Sequence, residues 1–199
     1  MKTQKEKLLK LFQKSRILRA RDILSNGIHQ QTLYRAYREG LVIKAGRGLY
    51  TVSAYEPGAH HGLIQVAKIA PSAVICLTSA LSFHEIGTQL PAEIWLALEK
   101  GKVPPKINYP PIRVVHYSGV SYSEGVEKKY IEGVNIKVYS PVKTVADCFK
   151  FRNKIGLDVA VEALRVCVNS KKYTVDDFIY YARICRVERI IKPYLEALL

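Results

Sequence analysis

The stretch from Lys5 to Val52 sets three short amphipathic helical patterns in a row and follows them with strand, glycine turn and strand. Nothing else in the chain limits the fold as tightly. Lys5–Gln13 places Leu8, Leu11 and Phe12 at the spacing of one helix face, with lysines on the others. In "RILRARDILSNG", Leu18 is placed to staple the entry of a second helix. Ala20, Ile23 and Leu24 form its apolar stripe, and Asn26-Gly27 ends it. The third pattern, "IHQQTLYRAYREG", sets Leu33, Ala36 and Tyr37 on one face. Gln30, Gln31, Tyr34, Arg35 and Arg38 fall on the other, and Gly40 is the stop. In "LVIKAGRGLYTV", Leu41–Lys44 and Leu49–Val52 are rich in strand formers. The Gly46-Arg47-Gly48 turn between them can take positive φ.

Helix, helix, helix, hairpin is the plan of a winged helix-turn-helix, and the charge distribution agrees with it. The 199-residue chain carries a net +14. Residues 1–55 hold 12 Lys+Arg against three acids (Glu6, Asp22, Glu39), a net of +9, whereas the remainder holds 19 against 14. A basic excess so placed points to a polyanion, and nucleic acid is the commonest one. The third pattern is the candidate recognition helix. Arginine pairs with the guanine edge and glutamine with the adenine edge, and the N-terminal residues of such a helix reach deepest into the major groove. Gln30, Gln31, Tyr34 and Arg35 are therefore the candidate base contacts. Arg38, Lys44 and Arg47 are placed for phosphates or the minor groove.

"SAYEPGAHHG" (53–62) is rich in turn formers. It divides the chain into a winged helix-turn-helix domain at 1–55, a linker at 56–62 and a C-terminal domain at 63–199. The C-terminal part begins with an apolar helical pattern at Leu63–Ile69. Strand-like segments at 93–101, 112–119, 122–133 and 134–140 predict a small sheet, with Glu132-Gly133 as a tight turn. The loop 99–111 has four prolines and three lysines and is expected to be exposed. The end is helical. Ser140 is the N-cap and Pro141 the first turn of a helix with Val142, Val145, Ala146 and Phe149 inside. Lys143, Asp147 and Lys150 fall on its other side, with Asp147 pairing to one of the lysines. The pattern at 157–170 is apolar almost all round and should be central. "TVDD" opens the next helix, and Pro193 kinks or restarts the last. The fold class is α+β: an N-terminal winged helix-turn-helix, then a mixed α/β domain with a small sheet and a helical C-terminal end.

Chemical motifs are scarce. No GxSxG, phosphate-binding glycine loop, GxGxxG or nucleotidyltransferase GS…DxD pattern occurs, and "HEIG" lacks the second histidine of a zinc protease. Glu99-Lys100 has no acidic partner for nuclease chemistry. His60-His61 point apart and have no third ligand, so neither metal nor cofactor is expected, and the chain reads as a non-enzyme. Four cysteines stand far apart without a CxxC pair, no apolar run approaches the ~18 residues of a membrane span, and the N-terminus has no secretory pattern. Together these suggest a cytoplasmic protein with buried free thiols and no membrane association.

After the "GRGLY" wing, the blocks "VICLTSALSFHEIGTQLPAEIWLAL", "YPPIRVVHYSG", "VYSPVKTVADCFKFRNKIGLDVAVEALR" and "RVERIIKPYLEAL" follow in order. In that order the chain resembles the AbiEi-type antitoxins of bacterial type IV toxin–antitoxin systems, over about residues 5 to 198. The resemblance implies a transcriptional repressor that binds inverted repeats in its own promoter through helix 29–39 and the wing at Arg47. It also implies a C-terminal domain that neutralises a nucleotidyltransferase-like toxin, without need of a stable complex, in systems linked to phage defence. By position and charge, the basic strip Lys143, Lys150, Arg152 and Lys154 becomes the candidate antitoxin surface. A plain winged-helix transcription factor with a ligand-sensing or dimerising C-terminal domain is the alternative.

Overall fold

In the computed structural model, which describes residues 3–199, the N-terminal helical patterns close around one apolar core. Leu8, Phe12, Leu18, Ile23, Ile28, Leu33, Ala36 and Val42 form it. Helix α1 (Gln4–Lys14) opens on a capping box. The Thr3 hydroxyl accepts the Glu6 N–H, and the Glu6 carboxylate accepts the Thr3 N–H. Strand β1 (Leu18–Arg19), α2 (Ala20–Ser25), α3 (Gln30–Arg38), β2 (Val42–Gly46), β3 (Leu49–Val52) and α4 (His61–Ile69) follow. The three strands form an antiparallel sheet in the order β1-β3-β2. Leu18, expected as a helix staple, is instead a strand residue opposite Tyr50. Pairing with the second strand of the hairpin satisfies its backbone, a contact that local spacing does not encode. The second helix also buries less than its pattern suggested: Ile23 is inside, but Leu24 is exposed.

This first compact unit runs to Pro71 and takes in residues 105–110 and 129–136. The segment 56–62, read from sequence as a linker, thus lies inside the unit. Side chains on either flank of it are tied to the rest of the unit. The Gln65 amide on α4 donates to the Ala45 carbonyl in β2 at 2.7 Å. The Tyr55 hydroxyl donates to Glu132 at 2.8 Å. At Gly133 (φ +79°) an added Cβ would overlap the Lys14 carbonyl oxygen, so only glycine lets the 129–136 turn lie against the end of α1.

The second unit comprises 72–104, 111–128 and 137–199. Its elements are β4 (Val74–Ile75), α5 (Leu77–Phe83), β5 (Ile94–Glu99), β6 (Ile112–Tyr117), α6 (Val120–Ser123), β7 (Val126–Ile131) and β8 (Val134–Tyr139), then α7 (Pro141–Lys150), α8 (Arg152–Ile155), α9 (Leu157–Asn169), α10 (Val175–Cys185) and α11 (Glu188–Glu196). The far ends of β7 and β8 belong to the first unit. The sheet order is β6-β5-β4-β8-β7. β5 and β6 run parallel, as do β4 and β8, while β4 and β5 are antiparallel. The segment 122–133, expected as one strand, begins as the end of α6 and enters β7 through Gly125 (φ +73°). The core packs α7, α9, α10 and α11 with the sheet around Phe149, Leu164, Phe178 and Tyr139. α7 is buried along its length up to Phe149, Lys143 and Asp147 included. Ser140 holds the N-cap position of α7 but makes no side-chain cap bond. Thr174 and Asp177 form the capping box of α10, as "TVDD" suggested. α11 runs through Pro193 without a restart. The four cysteines are buried free thiols. Among the described residues no helix is long and apolar enough to cross a membrane. The architecture is α+β, a winged helix-turn-helix followed by a mixed sheet and a helical C-terminal end.

Candidate nucleic-acid interface

Helix α3 shows why one face of it is free. Leu33 and Ala36 point into the core and are nearly fully buried. At 100° per residue the opposite direction falls between Gln31 and Arg38, with Tyr34 and Arg35 on either side and Gln30 at the edge. All five are exposed. Tyr34 is 61% exposed, so its ring serves no core. The Arg38 guanidinium lies 6.0 Å from the centre of the Tyr34 ring, which steadies a flat cation beside a flat ring on the outward face. Arg35 stands on the flank, lining a cleft with Lys5, Thr32 and Glu39. Glu39 is held by Lys5 at 2.8 Å. Tyr37, expected on the buried face, is 41% exposed and meets Tyr50 edge-on instead.

The hairpin brings more cations to the same unit. The Lys44 ammonium on β2 lies 5.2 Å from the Tyr37 ring centre, which joins the wing strand to α3. Gly46 pairs with Leu49, so the turn consists of Arg47 and Gly48 alone. Only Gly48 takes the left-handed region, at φ +70°. Gly46, read from sequence as part of the turn, is instead the last residue of β2, where an added Cβ would make ordinary contact with Leu49. The Gly48 carbonyl accepts the Ala20 N–H at 2.9 Å, fixing the wing tip to the start of α2. Arg47 is exposed at that tip.

Behind the wing runs a polar chain that the sequence reading missed. Gln65 donates both to Ala45 O and, at 2.8 Å, to His61 Nε2. His61 Nδ1 meets the Tyr55 hydroxyl at 3.1 Å, and that hydroxyl donates to Glu132. The donors and acceptors line up only with a neutral His61 protonated on Nδ1. Burial pushes the His61 pKa below its usual value, against a weaker upward pull from Glu132. Burial and the Glu132 carboxylate push the Tyr55 hydroxyl up to about 12. The one signal in the sequence was Gln65, a lone amide inside the apolar pattern 63–69.

The second basic strip does not hold together. Lys143 is fully buried, with its ammonium 2.7 and 2.6 Å from the two Asp147 carboxylate oxygens. It also lies 4.1 Å from the Tyr139 ring centre and 4.8 Å from that of Tyr117. Cys185 Sγ donates to Asp147 at 3.2 Å. Lys143 is therefore removed from the candidate antitoxin surface: an inward-facing pair satisfies its own charges and so can sit on the core side of α7. Lys150 is half-buried over the Tyr117 ring, and Arg152 is half-buried, donating to the Phe149 carbonyl. Lys154 is exposed beside Phe151.

Residues 6–53 match the family described as transcriptional regulator, AbiEi antitoxin. The resemblance read from the sequence is thereby supported over the module that carries α1–α3 and the wing. The whole chain is similar in fold to the crystal structure of the RV2827C protein from Mycobacterium tuberculosis. The TM-score is 0.62 at 10% identity, over 98% of this chain and 82% of that one. At that identity the likeness concerns the fold alone. No curated protein matches the chain.

Proposed function

We propose that the chain is a double-stranded-DNA-binding regulator of the AbiEi antitoxin kind, acting in the cytoplasm to repress its own operon from inverted repeats in the promoter. One observation carries the reading. The segment that matches the family, residues 6–53, is also the segment whose outward face sets Gln31, Tyr34 and Arg38 beside a wing bearing Lys44 and Arg47. Gln30, Gln31, Tyr34 and Arg35 read base edges, Arg35 from the flank, while Arg38, Lys44 and Arg47 neutralise phosphates. Two copies on an inverted repeat follow from the small surface that one winged helix covers. Footprinting on the DNA upstream of the gene is the test. Protection of an inverted repeat at salt concentrations where random DNA is released is the expected result. Equal protection of random sequence at every salt concentration defeats it.

The second unit, on this reading, neutralises a nucleotidyltransferase-like toxin functionally and without a lasting complex, with Lys150, Arg152 and Lys154 the remaining basic candidates. A second reading has one observation in its favour. In this unit Val168, Tyr173, Phe178 and Leu195, with Asn169 and Lys171, line a cleft of about 460 Å³ of mixed character, which suits a transcription factor that senses a small ligand. Co-expression with a toxic neighbouring gene separates the two: rescue of growth supports the antitoxin, and unrelieved toxicity supports the sensor.

A further inference from the structure

The wing has neighbours that the family match does not include. Residues 105–110 belong to the first unit and close a cleft of about 420 Å³ against Ala45, Gly46, Arg47 and Ile69. They bring Lys106, Asn108 and Tyr109 to it. Lys106 and Asn108 are exposed, and Tyr109 is 72% exposed with no ring partner among the described residues. Buried Pro110 and half-buried Pro105 hold the ends of this short segment, so its polar groups are presented on a stiffened backbone. A second cleft, about 270 Å³, is lined by Arg19, Arg21, Gly48 and Ile69. Arg47 lines both. Among the described residues Arg19, Arg47 and Lys106 make no ion pair, neither cleft is lined by a carboxylate, and Arg21 lies 3.6 Å from Asp22.

We infer that residues 105–110 are a second DNA-contacting element, which with Arg19 and Arg21 makes Arg47 the middle of a band that grips the duplex backbone beside the bases read by α3. Four cations, of which only Arg21 is paired, complement a row of phosphates, whose charges repeat every few ångströms along the duplex. Lys106 neutralises a phosphate, Asn108 donates its amide to a phosphate oxygen, and Tyr109 lays its ring on the sugar edge with its hydroxyl toward the backbone. The inference rests on the DNA-binding reading above and names the part of the DNA, outside the base-reading contacts, that the protein holds.

The test titrates the full chain, Lys106→Ala, Lys106→Arg, Tyr109→Ala and Gln31→Ala against the footprinted operator and a random duplex of equal length over a range of salt. Lys106→Ala is expected to lower the slope of log K against log salt by about one on both duplexes, leaving the operator-to-random ratio unchanged. Lys106→Arg should restore the slope. Tyr109→Ala should weaken both duplexes alike and shorten the hydroxyl-radical footprint. An unchanged slope and footprint in the Lys106 and Tyr109 variants, while Gln31→Ala still loses operator preference, overturns this inference and leaves the DNA-binding reading standing. A wild-type chain that does not prefer the operator overturns both. A loss seen only on single strands or with an acidic protein, and not on duplex, also overturns it.

Discussion

Removing one partner of the Lys143–Asp147 pair strands a charge where no solvent reaches. Asp147→Ala should cost about 3–5 kcal/mol of stability, read from urea unfolding, whereas the joint change Lys143→Met with Asp147→Leu should recover most of it. A single variant as stable as the parent would mean that the pair contributes nothing. On the proposed function, Gln31→Ala should lose about 1–3 kcal/mol of binding on the operator and none on random DNA, and an equal loss on both would rule out base reading. The two residues differ in how far the sequence could place them. Gln31 was legible because the 3.6-residue period assigns a face once Leu33 and Ala36 are inside. Lys143 was not. An i, i+4 lysine–aspartate pair looks the same on a wet face and on a dry one, and of the two rings that enclose it Tyr139 ends the strand just before α7 while Tyr117 comes from β6, 26 residues earlier in the chain.

At the scale of elements, the wing depends on α4. The Gln65 amide donates to the Ala45 carbonyl and to a neutral His61 at once. Because the folded His61 takes up a proton less readily than the unfolded one, the unfolded state binds more protons as pH falls below the usual histidine value of 6.5. The stabilising effect of this cluster is therefore complete above that pH and declines as pH drops toward the lowered folded value. Thermal melts at pH 7.5 and 5.5 should differ more for the wild type than for His61→Gln. An identical pH response in the two would exclude His61 as the group responsible. Short elements were the hardest to foresee. Helix α10 announced itself through Thr174 and Asp177 because a capping box is local. The two-residue strand β1 has no period of its own and exists because Tyr50 and Leu49 pair with it.

For the whole molecule, the first unit is discontinuous, drawing on residues to Pro71, on 105–110 and on 129–136. A boundary read from turn formers at 56–62 could not reveal this, since composition marks where a chain bends and not where it returns. A fragment ending at Pro71 keeps α1–α4 but lacks Glu132, so it should melt at a lower temperature than the full chain. Its Tyr55 should titrate nearer 10 than the value of about 12 set by burial and Glu132. Ring-carbon NMR across the titration checks this, and an unmoved Tyr55 would show that Glu132 of the 129–136 turn does not set its titration. The close approach at Gly133 also has a consequence in time. The ribosome releases α3 and the wing early, yet the turn that lies on α1 emerges only after the sixty-odd residues between Pro71 and Ile136 have been added. At typical elongation rates that delay is roughly 3 to 13 s. On the proposed function, a nascent chain then carries a DNA-binding head that is present but unfinished, so operator binding should lag behind synthesis of the segment that matches the family.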